Sequence, residues 1–279
     1  LVKIGFWKMH GIGNDFVVLD NRNRQIPEKE LSKIAKKLCK RYFSIGADGI
    51  LVVNNSSVAD VKMRIFNADG SEAETSGNGV RCFVKYCYEN GVASRKELKI
   101  ETLAGVKTVW LDTEKGKVSS VTVDMGEPIL ERSQIPVVGN GKCVNEDLQL
   151  EGVNYKMTCV SVGNPHCVIF VDNTQHFPVG TVGPKIENHK MFPARINAEF
   201  AQILNRNEIK LRVWERGVGE TLACGTGACA TVVAANVLGK VDKLCVVHLL
   251  GGDLKIEFQD NRILMTGTAD KVFEGTVDL

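Results

Sequence analysis

Met63-Arg64-Ile65-Phe66-Asn67, running on to Ser76-Gly77-Asn78-Gly79, can be laid without a gap over Leu211-Arg212-Val213-Trp214-Glu215, running on to Cys224-Gly225-Thr226-Gly227. Position 63 falls on 211 and 76 on 224, a fixed offset of 148 in a chain of 279 residues. Arg64/Arg212, Glu72/Glu220, Gly77/Gly225 and Gly79/Gly227 are identical across it, and Ile65/Val213 and Phe66/Trp214 are similar in kind. A second pair, Gly13-Asn14 and Gly163-Asn164, repeats at an offset of 150, each followed by an apolar run that ends in Asp-Asn. Self-similarity at half the chain length means two copies of one unit rather than a solenoid. A pseudo-twofold pair can present equivalent groups to the two faces of one ligand, the geometry that inversion of a carbon centre needs.

Outward from the repeat, Val- and Ile-rich runs bounded by Gly, Asn, Asp or Pro predict strands at 4–9, 16–20, 61–66, 98–102, 118–125, 167–171, 209–214, 254–258 and 263–266. Helical spacing predicts helices over 28–42, 78–89 and 226–238, the last two starting directly after their Ser/Cys-Gly-x-Gly segments. Segment 226–238 is apolar nearly all round, as a helix wrapped by strands would be. A charged turn, Glu114-Lys115-Gly116-Lys117, marks the expected seam between halves: 1–117, completed by a C-terminal strand at 270–279, and 118–269. Segment 126–152 is turn-rich, and the sequence gives it no role.

Composition narrows the class. An apolar fraction of 44% and a charged fraction of 24% are those of a soluble globular protein. A net charge of +2, with no long basic block, argues against nucleic acid. No apolar run reaches membrane-spanning length, and the start does not read as a signal peptide. Nine scattered cysteines without a Cys-x-x-Cys pair argue against a zinc ribbon and point to a reducing cytoplasm.

Each half carries a strand, a short loop, a glycine-flanked turn and a helix start. Such glycines let a ligand approach the backbone. The free N–H groups and dipole of a helix N-terminus suit a carboxylate, and the same field should lower the pKa of a cysteine at position 224. The plain alternative for each copy is an N-cap turn, but capping does not require the halves to match in sequence.

Several stretches together closely resemble diaminopimelate epimerase: His10-Gly-Ile-Gly-Asn14-Asp-Phe, Asn67 through Cys82, Gly163-Asn-Pro-His166, Phe192-Pro-Ala-Arg-Ile-Asn197 and Trp214 through Gly227. The resemblance runs from about residue 4 to the end. It implies an α/β (α+β) fold of two pseudosymmetric domains, each a central helix wrapped by strands, with the active site at the cleft between them. It further implies a cofactor-independent amino-acid racemase without metal, acting on 2,6-diaminopimelate in lysine biosynthesis, and a cytoplasmic homodimer. Cys224 matches the family's base on one face of the substrate. Asn14, Asn67, Gly77, Asn78, Asn164, Asn197, Glu215, Arg216, Gly225 and Thr226 match residues that hold the substrate, and His166 and Glu215 match residues that tune the thiols. Asn side chains both donate and accept, and Arg216 suits a two-pronged grip on a carboxylate.

Two positions depart from the family pattern. Ser76 stands where the first catalytic cysteine belongs, and Gly49 where some members place a substrate-facing Gln. A serine hydroxyl is far less acidic than a thiol, and a helix dipole worth about 1–2 kcal/mol cannot bring it near neutrality. Ser76 is either an engineered replacement or a native divergence. Cys82, farther along the helix, is expected to point into the core. The readings to be separated are a diaminopimelate epimerase slowed by Ser76, a racemase of another amino acid on the same fold, and a catalytically silent amino-acid-binding relative.

Overall fold

The computed structural model describes residues 3–279. Their contacts divide into two compact units, one up to residue 124 together with 266–279, the other 125–265. The turn 114–117, expected as the seam, is the tip of a hairpin inside the first unit: Glu114 pairs with Lys117, and Lys115 and Gly116 take the positive φ of 51° and 78° that a two-residue turn requires. The division falls seven residues later.

In the first unit, strand Lys3–Gly11 forms a hairpin with Asn14–Asp20. The latter runs parallel to Gly49–Asn54 after the crossover helix α1 (Leu31–Leu38). Gly49–Asn54 is antiparallel to Val61–Asn67, which runs parallel to Glu97–Thr102 after α2 (Gly77–Glu89). Asp270–Asp278 closes the other flank against Lys3–Gly11. The second unit repeats this order: Val153–Ser161 and Pro165–Phe170 form the hairpin, α3 (Val179–Glu187) crosses to Asn197–Asn205, and α4 (Gly225–Val237) crosses from Glu208–Glu215 to Leu244–Leu249. Its flank is closed by Glu146–Leu150, so the turn-rich segment 126–152 contributes a strand.

The central helices follow their sequence pattern. Both run 13 residues. Helix α2 packs on the four strands at 3–11, 14–20, 49–54 and 61–67, and α4 on those at 153–161, 165–170, 197–205 and 252–259. From Ala228 to Ala235 every residue of α4 is buried, as the all-round apolar sequence requires. Arg64 and Glu72 form a two-pronged ion pair at 2.6 and 2.8 Å, and Arg212 and Glu220 repeat it at 2.7 and 3.0 Å. The sequence identity at these positions is therefore a brace that ties each strand to the loop leading to its helix.

Two elements differ from expectation. The helix expected over 28–42 is a single 3-10 turn, Glu28–Glu30, followed by α1, which ends at Leu38. The chain then doubles back, with Gly46 and Ala47 donating to the carbonyls of Leu38 and Cys39, and Tyr42, fully exposed, takes a positive φ of 70°. Helix α3 carries no obvious helical signal, because Gly180, Gly183 and Pro184 lower its propensity. Gly183 is set by packing: a Cβ there would lie 2.5 Å from Cγ of Trp214. Among the described residues no helix is long and apolar enough to cross a membrane.

Candidate active site

Ser76 and Cys224 are the N-caps of α2 and α4, each with extended backbone angles. Ser76 Oγ accepts from the N–H of Gly79 at 3.1 Å, and Cys224 Sγ from that of Gly227 at 3.4 Å. The capping bond is the same bond in both halves, made by oxygen in one and sulfur in the other.

Around Ser76 the first unit gathers Gly77, Asn78 and Asn14. The Asn78 amide donates to Asn14 Oδ1 at 3.3 Å, and Asn14 Nδ2 donates to Asp48 Oδ2 at 2.8 Å. Behind them Arg81, fully buried, donates to Asn78 Oδ1, the Gly77 carbonyl and the Thr268 carbonyl. Asn67 is exposed, stands in register with Gly49, and donates to Ser71 Oγ at 3.0 Å. A Cβ on Gly49 would come within 2.6 Å of the Phe66 carbonyl oxygen, so this backbone leaves no room for the side chain that some family members carry. Cys82 is wholly buried in the core, and burial pushes its thiol up to about 12.

The second unit gathers the remaining residues round Cys224. Thr226 Oγ1 lies 3.5 Å from Sγ. Glu215 accepts from Thr221 Oγ1 at 2.5 Å. Asn197 is buried and doubly engaged: Nδ2 donates to the Pro165 carbonyl at 2.9 Å and Oδ1 accepts from the N–H of Arg216 at 2.8 Å. Arg216 Nη1 donates to the Ala194 carbonyl. His166 is fully buried, with Nε2 at 2.9 Å from Asn164 Oδ1 and Nδ1 at 2.7 Å from Glu199 Oε1.

The thiol itself reverses one expectation. Burial, then the charges of Glu215 and Glu199, push Cys224 well above the ordinary thiol range. The Thr226 hydroxyl and the Gly227 N–H pull the other way and do not prevail. The sequence shows the helix start but not the two carboxylates or the depth of burial, so its inference of a lowered value was incomplete. Glu199 is the charged neighbour of Cys224 that sequence reading missed. At the 148-residue offset it falls on Leu51, a carboxylate set into what is otherwise an apolar strand, and that mismatch was the available signal.

Each unit is thus a strand-wrapped helix that starts at a capped turn. Solved structures share the fold: a PhzF-family phenazine biosynthesis protein of Bacillus anthracis superposes with a TM-score of 0.74 at 18% identity over 100% of both chains. A hydroxyproline epimerase of Agrobacterium vitis superposes with a TM-score of 0.72 at 14% identity, over 99% of this chain and 93% of that one. The sequence goes further. The model of the family Diaminopimelate epimerase matches residues 6–131 and 158–272. Diaminopimelate epimerase of Moorella thermoacetica is 51% identical over 98% of this chain and 99% of its own, and that of Pelotomaculum thermopropionicum 50% over 97% of each. The same enzyme of Methanococcus maripaludis is 46% identical over 98% and 99%. The chain belongs to the diaminopimelate epimerase family, and it is an isomerase.

Proposed function

We propose that this chain interconverts LL- and meso-2,6-diaminopimelate by two-base proton transfer at the α carbon, slowly, because only one of its two half-sites carries a thiol. The observation that carries this reading is the matched pair of capped helix starts, Ser76 on α2 and Cys224 on α4. In this mechanism one group removes the α-proton while its counterpart delivers another to the opposite face. The helix N-termini stabilise the negative charge that develops on the substrate carboxylate. Asn14, Asn67, Asn78, Asn164 and Asn197, with Glu215, Arg216, Thr226 and the backbone of Gly77 and Gly225, hold the amino and carboxylate groups. The resting thiol at Cys224 carries the proton it can supply, and becomes a base only when ionised. Ser76 holds its proton too tightly to serve as the second partner.

The test is Ser76→Cys. Epimerisation of LL-diaminopimelate should rise about 10²–10⁴-fold, the usual worth of a positioned acid–base group. An unchanged rate in a folded variant refutes the two-thiol assignment. A racemase of a smaller amino acid would leave the groups that hold the distal head of diaminopimelate unpaired, at about 1–3 kcal/mol each. The reducing cytoplasm suits nine free, buried cysteines. We further propose a homodimer, the commonest assembly of such enzymes; light scattering that reports a monomer at micromolar concentration removes that proposal.

A further inference from the structure

Glu199 lies on strand Asn197–Asn205 and is completely buried, as is His166, whose Nδ1 it meets. Among the described residues its second oxygen, Oε2, has no hydrogen-bond partner. A Cβ on Gly227 would fall 2.9 Å from Oε1, so the carboxyl group rests against the first turn of α4, whose cap is Cys224. Burial pushes the Glu199 carboxyl above its ordinary range, against the pull of His166. On the far side of the imidazole, Nε2 faces Asn164 Oδ1. The twin unit manages without any of this: at the corresponding position it carries Leu51, whose Cδ2 would meet a Cβ on Gly79 at 3.2 Å. The fold does not require a carboxylate here.

We propose that Glu199 is a positioning residue which fixes, through His166, the direction in which the Asn164 amide faces the substrate. The proposal rests on the functional reading above and adds a residue to it. A net charge sealed from water is costly, so the His166–Glu199 pair holds one proton between Nδ1 and Oε1. With no acceptor for an acid proton on Oε2, two arrangements make the pair neutral: imidazolium beside carboxylate, or neutral imidazole accepting from carboxylic acid. Both place a hydrogen on Nε2. Nε2 therefore donates, Asn164 Oδ1 accepts, and the two N–H groups of Asn164 turn away from His166, free to donate to a substrate carboxylate. The remaining arrangement, Nδ1–H beside a carboxylate with a bare Nε2, leaves an unneutralised buried anion and allows the amide to reverse. What one ring nitrogen binds thus decides what the other presents.

The experiment combines nitrogen-15 NMR of histidine-labelled protein with calorimetric titration of diaminopimelate, on the native chain, Glu199→Leu and Glu199→Gln. In the native chain Nε2 of His166 should carry a hydrogen. Glu199→Leu, which installs the side chain of the twin unit, should mix the two tautomers and weaken binding about tenfold. Glu199→Gln, whose amide can donate to Nδ1, should keep the hydrogen on Nε2 and restore binding to within about threefold of native. A bare Nε2 in the native chain overturns the proposal, as does a Leu variant that binds like native or a Gln variant that loses as much as Leu. If Glu199→Leu does not fold, the native and Gln spectra decide. If the native chain binds no diaminopimelate, the functional reading has failed, and the NMR result still decides whether Glu199 sets the tautomer.

Discussion

Behind the start of α2, parallel strands bring Phe16 into register with Gly49, with Leu51 two residues on; behind α4 the same register holds His166 beside Asn197, with Glu199 two residues on. The frame is otherwise shared down to the cap that accepts a glycine N–H and the Arg–Glu brace. The first unit buries a cation, Arg81, where the second has Cys229; the second buries a carboxylate where the first has leucine. Duplication has kept what builds a helix start and released what surrounds it. The cap does not depend on which atom makes it: serine oxygen caps α2 as cysteine sulfur caps α4.

The sharpest way to break this comparison is to exchange the halves. On the proposed mechanism Cys224 takes the α-proton from the stereoisomer that presents it to that face and returns a solvent proton to the same face. In D₂O, deuterium should enter that isomer with its configuration largely retained, while the other isomer stays unlabelled. The double variant Ser76→Cys/Cys224→Ser should lose that exchange by about 10²–10⁴-fold and gain it for the other isomer. Mass spectrometry with chiral separation reads both. Equal labelling of both isomers by the native chain would show that Ser76 or a water is a competent base. Burial and two carboxylates hold the Cys224 thiol above its usual range, so the thiolate fraction is still growing at the ordinary thiol pKa of about 8.5. The native exchange rate should therefore climb about tenfold per pH unit through neutrality. Levelling off below that value contradicts the structure.

What could be read from the sequence follows from the same division. The frame was legible because a helix start leaves marks: glycines at fixed spacing, a capping side chain, an apolar period. Repetition of those marks at 148 residues gave the two-unit architecture, while the site residues proposed around Ser76 and Cys224 came from the resemblance of whole motifs. The surroundings were not legible, because a strand buried on both faces has no period to violate. Strand Gly49–Asn54 is a nearly continuous apolar run, and in its counterpart Glu199 is marked only by its mismatch with Leu51; the partner it finds lies across the sheet. The reactivity of Cys224 depends on burial and on two distant carboxylates, neither of which has a local signature. Helix α3 is held by what packs on it rather than by propensity.

That last case gives the smallest and most local test. Helix α1 buries Leu31, Ile34, Ala35 and Leu38; α3 buries Val179, Val182, Gly183 and Ile186 at the same offset. Ala35 shares a core cluster with Phe66, whereas Gly183 makes room for Trp214. A methyl group has in effect moved from helix to strand. Gly183→Ala should therefore destabilise the second unit by about 1–3 kcal/mol, since the added carbon meets a ring fixed to a strand. Ala35→Gly should cost about 1 kcal/mol in helix propensity plus the contacts of the lost methyl. Phe66→Trp alone should overpack, and the two changes together should cost less than their sum, with a coupling of about 0.5–3 kcal/mol. The rescue should be partial. The Trp214 indole donates to Glu187 at 2.7 Å, and the residue corresponding to Glu187 in the first unit is Cys39, a poor acceptor for a new indole N–H. Urea titration of the unsubstituted chain and the three variants Ala35→Gly, Phe66→Trp and the two together measures the cycle, and strict additivity would show that helix and strand choose their residues independently.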